Sequence, residues 1–254
     1  MNDRPRRNTP VVVGLIGACL VAAPLALLYA QGRPRAPDLA RTPAAETRRC
    51  APGPNATGAP RTIEQVVDLI NSLPKPVSVA CFVESLDPPL KVFASNSVAS
   101  LQLSTGPEDP RWFIFSLPLI VSVTSDGPGA ELLEMGVLQP GNRRALLGEL
   151  RMPIQTMIKH AVPFDRVSKG DGTTCGFFCH RDEERDTRIR FAEAFVSKSI
   201  RAVSSSEVTL DSMRGVLSRC KSPTASARCE LLRALLVTGR AQREDFPADM
   251  PVGF

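Results

Sequence analysis

The chain has 254 residues, is 43% hydrophobic and 22% charged, and carries a net charge of +5. This balance argues against wholesale disorder, and the length suits a leader plus one sizeable domain or two small ones. Nucleic-acid binding is disfavoured. Much of the positive charge lies near the N-terminus, at Arg4, Arg6, Arg7, Arg33, Arg35, Arg41, Arg48 and Arg49, and the sequence beyond residue 30 holds a single Trp and no Tyr to interleave with a basic patch.

The first feature in chain order is the uncharged run Val11–Ala30, preceded by Arg4, Arg6 and Arg7. Its length matches the ~20 residues a helix needs to cross hydrocarbon, and positive charge stays on the cytoplasmic side. Residues 1–30 therefore read as a signal anchor holding the body at the membrane on the extracytoplasmic, periplasmic side. Two other fates are open: cleavage as a signal peptide after Ala30, or processing at Ile16-Gly-Ala-Cys19, which loosely resembles a lipobox. Residues 31–61, rich in Pro, Ala and Arg, read as a flexible tether.

Residues 62–153 read as a β-rich module. Thr62–Leu73 has a capping-box pattern, Thr62 with Gln65, and an apolar face at Ile63, Val66, Val67 and Ile70, which predicts a helix. Strands are expected at Val77–Glu84, Leu90–Ala94, Val98–Leu103, Arg111–Phe115, Leu119–Thr124, Ala130–Leu138 and Ala145–Met152. Asp126-Gly-Pro-Gly129 and Pro140-Gly-Asn142 mark turns.

Residues 154–254 read as a mainly helical module. Phe164–Gly172 is expected to be loop, and the mixed-charge run Arg181–Arg190 a solvated face. Helices are expected over Phe191–Val203, from a Ser204/Glu207 box with Val208, Met213, Val216, Leu217 and Cys220 inward, and over Arg228–Thr238, ended by Gly239. The expected fold is thus α+β: an antiparallel β-sandwich or partial barrel followed by a small helical module.

Beyond the leader the chain has six cysteines: Cys50, Cys81, Cys175, Cys179, Cys220 and Cys229. An even count suits disulfides in an oxidising compartment. Cys220 with Cys229 would staple a connection between helices, and Cys50 with Cys81 would tie the tether to the first strand. Cys175 and Cys179 would then remain as a matched pair.

The run Cys175-Gly-Phe-Phe-Cys179-His180 resembles the haem-attachment motif of c-type cytochromes, with three residues between the cysteines where the usual motif has two. The resemblance covers Cys175–His180 alone. It implies a covalent haem c, with thioethers from Cys175 and Cys179 and an iron ligand in His180. A second axial ligand would come from Met213, Met250 or His160, and Phe177, Phe178, Phe191 and Phe195 would wall the pocket. The implied role is electron transfer or redox sensing with a redox or envelope protein partner. The same residues also read as a plain disulfide beside a surface histidine, or as a partial copper or zinc set. On the disulfide reading the protein is an envelope binding or structural protein without cofactor.

No enzyme constellation accompanies the motif. There is no Gly-x-Ser-x-Gly elbow, no Gly-x-x-x-x-Gly-Lys loop and no Gly-x-Gly-x-x-Gly turn. Glu183 and Glu184 sit in the charged run and read as solvated.

Overall fold

The computed structural model describes residues 49–97, 102–127, 129–168, 182–220 and 226–253, which belong to the compact unit Ala45–Phe254. The anchor Val11–Ala30 and the motif Cys175–His180 lie outside the described residues. Among the described residues no helix is long and apolar enough to cross a membrane.

Helix α1 (Ile63–Ser72) begins where the capping pattern places it. The Thr62 side chain accepts from the Gln65 N–H, while the Gln65 side chain accepts from the Arg61 N–H at 2.7 Å. Val77–Glu84 departs from its strand pattern. It forms helix α2 (Val79–Ser85), capped by Ser78, whose hydroxyl accepts from the Cys81 N–H. Alternation in a short apolar run does not separate a strand from a helix buried on most sides, and Phe82, Val83, Glu84 and Ser85 are all buried.

Strands β1 (Lys91–Ser95), β2 (Arg111–Ser116), β3 (Leu119–Val123), β4 (Leu132–Leu138) and β5 (Arg144–Arg151) follow. Each lies within about two residues of its expected bounds. Helix α3 (Val162–Val167) stands where loop was expected and packs on β5. Strands β6 (Glu184–Arg185) and β7 (Phe195–Lys198) come next, β7 inside the segment read as helix. Tertiary pairing overrides helical periodicity there: Ala145 and Leu146 of β5 pair with Ser197 and Val196. Helix α4 (Leu210–Ser218) is capped by Thr209 rather than by Ser204, which opens a short 3-10 turn. Helix α5 (Ala227–Arg233) runs into a π turn, Ala234–Thr238, followed by Gly239. Strand β8 (Gln242–Arg243) runs parallel to β1.

All eight strands form one sheet in the order β6-β7-β5-β4-β3-β2-β1-β8. The sheet is open and mostly antiparallel, so among the described residues there is neither a sandwich nor a barrel. The fold is α+β, but its helices do not form a separate layer of sequence: the part read as helical also supplies β6, β7 and β8.

The inner face explains why no second sheet is needed. Trp112 and Ile114 of β2, Val121 and Val123 of β3, and Leu133 of β4 share one core with Ile63, Val66 and Ile70 of α1, Phe82 of α2, Met213 of α4 and Leu231 of α5. The helices already remove this face from water. Gly148 of β5 is part of the fit, because a Cβ there would stand 3.0 Å from Ile63 Cδ1 and 3.3 Å from Pro163 Cβ.

Two disulfides close this layer. Cys50 is bonded to Cys81 of α2, and Cys220 to Cys229 of α5. The first draws residues 49–60, the described end of the segment read as tether, onto the helices. The Arg49 N–H donates to Glu84 at 2.7 Å and the Gly53 N–H to Ser72 at 3.1 Å. The disulfides span 31 and 9 residues of chain. Loop-closure entropy then predicts that replacing Cys50 and Cys81 together by Ala costs about 3–4 kcal/mol and replacing Cys220 and Cys229 about 2–3 kcal/mol. Urea denaturation of the two double variants checks both the losses and their order.

Candidate functional site

The outer face of the sheet is built differently from the inner one. Along β2, Arg111, Phe113 and Phe115 alternate with the core residues and point outward. Cross-strand register then sets two parallel rows. One row runs Phe93, Phe113, Ser122, Glu134, Glu149, and the next runs Lys91, Phe115, Ile120, Gly136, Leu147.

The C-terminal segment 244–253 straps across this face. Phe246 fits among Phe93, Phe113 and Phe115, with ring centroids 5.2, 4.9 and 5.1 Å away. Its far end is tied to the segment after β7 and to the β4–β5 turn. The Arg201 N–H donates to the Pro251 carbonyl at 2.8 Å, and the Asn142 side chain donates to Asp249 at 2.8 Å.

Strap, sheet and the segment after β7 border a half-open cavity of about 370 Å³, within the ~300–1,000 Å³ usual for small-molecule sites. Phe113, Ile120, Leu138, Leu147, Phe246 and Met250 form much of its wall. Gly136 opens its floor: apart from Ala145 Cβ at 3.5 Å, a Cβ there would meet nothing within 4 Å.

The cavity has a polar end. Arg111 donates to Glu134 at 2.5 Å and to the Ser122 hydroxyl at 2.8 Å. Ser122 in turn donates to Gln102 Oε1 at 2.8 Å, and the Gln102 amide donates to the Leu132 carbonyl at 2.8 Å. The Arg111 guanidinium also lies over the Phe113 ring, 4.7 Å from its centroid.

Glu149 stands directly across from Glu134 in the β4–β5 ladder, a placement that is repulsive for like charges. It is only 9% exposed. Arg166 of α3 reaches it at 3.5 Å, a long contact from a cation that is itself 42% exposed. Burial pushes the Glu149 carboxyl above its ordinary pKa, the charge of Glu134 adds to the rise, and Arg166 and, more weakly, Arg151 oppose it.

No protein-family model, curated protein or solved structure matches this chain.

The residues singled out in the sequence are dispersed. Met213 is wholly buried in the inner core, whereas Met250 lies on the outer face under the strap. His160 is half-exposed and its Nε2 lies 2.8 Å from Asp68 Oδ1. Phe191 is exposed and Phe195 is buried in β7. Cys175, Cys179 and His180 lie outside the described residues. Among the described residues no group of three or more His, Cys, Asp and Glu could hold a metal ion.

The polar end of the cavity was not singled out in the sequence, although a signal existed. A hairpin centred between Gly141 and Asn142 pairs Glu134 with Glu149, and both glutamates interrupt apolar strands.

The sign of the Glu149 shift yields a test. Its folded pKa is raised, so the ionised carboxylate lowers stability once pH exceeds the ordinary carboxylate range, and no cost exists below that range, where both states are protonated. Glu149→Gln should therefore raise Tm at neutral pH, with the gap to wild type closing on acidification. A Tm series over pH checks this; an unchanged or lowered Tm at neutral pH contradicts it.

Proposed function

We propose that this is an extracytoplasmic binding protein that holds a small, mainly apolar ligand between the outer face of its sheet and its C-terminal strap. The observation that carries the reading is the cavity itself. It is walled by aromatic and aliphatic side chains, floored by a strand glycine, and provided at one end with convergent polar groups. A pocket of that kind is the usual form of a small-molecule site. The compartment is supported by two disulfides and by the apolar run Val11–Ala30, which would anchor the protein in the membrane.

Gly136→Leu tests the reading. The added side chain grows into the cavity and touches no part of the inner core. Nile red, a neutral apolar dye, should gain fluorescence on wild type and bind about tenfold or more weakly to the variant, since a blocked apolar pocket loses most of its contact area. Equal binding by the two, at equal Tm, would remove the cavity as the site.

A second reading is favoured by the cysteine count. The two disulfides take four of the six body cysteines, leaving Cys175 and Cys179 as a pair beside His180. On this reading the pair carries a covalent haem c, with His180 as iron ligand and Met213 or Met250 as the second, for electron transfer or redox sensing. Met213 would have to leave the inner core to serve. Coexpression with haem-attachment machinery should give a Soret band that disappears in the Cys175→Ser/Cys179→Ser variant; a colourless wild type under those conditions ends the reading.

A further inference from the structure

We infer that the cavity's ligand is an amphipathic amine: a cationic N–H head set against Glu149, and an apolar body lying along Phe113, Ile120 and Leu147 toward Phe246. The inference rests on the binding reading above and deepens it.

The polar end of the cavity is not evenly compensated. Glu134 accepts a 2.5 Å bond from Arg111, and that guanidinium is further fixed by Ser122. Glu149, in the next strand of the same row, has no comparable partner among the described residues. Arg166 stands 3.5 Å from Oε1, and the nearby Arg151 is well exposed, 3.9 Å from Glu131. The carboxylate is thus held in a buried place, opposite a like charge, at the wall of an empty space. A charge-assisted N–H bond from a ligand supplies what burial removes, and such bonds are roughly twice as strong as neutral ones.

The same arrangement discriminates by charge. A ligand carboxylate at this end would meet Glu149 and Glu134 together. The other cations that line the cavity, Lys198 and Arg201, come from β7 and the segment after it. Arg201 already donates its Nε to the Met250 carbonyl at 3.0 Å. The apolar body has its own place, because Gly136 leaves the space between Ile120 and Leu147 open. Head and body therefore have separate places, the head at Glu149 and the body over the open space at Gly136 in the next row.

Three probes of one shape separate the possibilities: phenylbutylamine, phenylbutanol and phenylbutyrate, titrated calorimetrically into the full chain at neutral pH. The amine should bind about tenfold or more tightly than either of the others, and Glu149→Gln should lower its affinity by a similar factor. Arg166→Ala, which removes the resident cation, should tighten amine binding. Loss of affinity in Glu149→Gln cannot be put down to misfolding if the Tm of that variant is not lowered. Amine binding that is no stronger than alcohol or acid binding, or that is unchanged in Glu149→Gln, overturns the inference. If the alcohol or acid then still binds and Gly136→Leu blocks it, the cavity reading survives alone. If no probe binds, both fall.

Discussion

The register of the β4–β5 hairpin decides what each face of the sheet can be. A slip of one residue would turn Glu134 and Glu149 into the helix-covered core and bring Leu133 and Leu150 out to water. Two local features hold the register. Gly141 and Asn142 both take left-handed backbone angles in the connecting turn, a conformation that Gly accepts freely and Asn tolerates. Gly148, four residues into β5, lets α1 and α3 lie close on the inner face, where a Cβ would be tight against Ile63 and Pro163. With register fixed at the centre of the sheet, the rows of the outer face follow across the neighbouring strands.

The two faces are then closed by different parts of the chain. Helices from before β1 and after β7 meet on the inner side, and the disulfides fasten one helix from each group, α2 through Cys81 and α5 through Cys229. The outer side is closed by the strap, which has few apolar anchors. Phe246 and Met250 are its buried contributions, and the remainder is held by backbone and side-chain hydrogen bonds from Arg201 and Asn142. One face is consequently packed as a core, and the other keeps a cavity beneath a polar-bonded cover. That division leaves the strap the less apolar of the two covers.

Much of the fold was legible where pattern and punctuation agreed. Strands β1 to β5 are short apolar runs set between Pro, Gly, Asn and Asp, and α1 carries its cap in sequence. The failures share a cause. Val77–Glu84 and the segment around Phe195 are short and apolar, and their state is set by what they touch: Cys50 and the inner core in one case, the edge of β5 in the other. Phe164 gave no helix signal because α3 has only six residues and no side-chain cap. The sandwich expectation followed from the number and spacing of short strand-like segments in residues 62–153, one of which, Val77–Glu84, is mostly helix. The candidate site was hidden for another reason. A glutamate in an apolar strand is ordinary on a solvated face, and the burial of Glu149 comes from tertiary neighbours, Arg166 of α3 among them, that its own strand does not announce.

The Glu134–Glu149 opposition is unfavourable for the sheet. Apolar residues would serve the sheet better, since the row already begins with Phe93 and Phe113 and lies under cover. Placing two carboxylates side by side, satisfying one with Arg111 and leaving the other with a distant, half-solvated cation, is a local conflict with the rest of the packing. Such conflicts are concentrated at functional sites, although structural charge networks produce them too. A catalytic acid–base pair would also account for opposed carboxylates, but it needs a nucleophile or an activated water held against them. The hydroxyl in the same row, on Ser122, is engaged with Arg111 and Gln102, and Leu147 and Gly136 beside the Glu134–Arg111 pair make a wall that can hold an apolar body and a charged head. On the proposed reading, the stability forgone by burying Glu149 opposite Glu134 is recovered when a cationic ligand neutralises it.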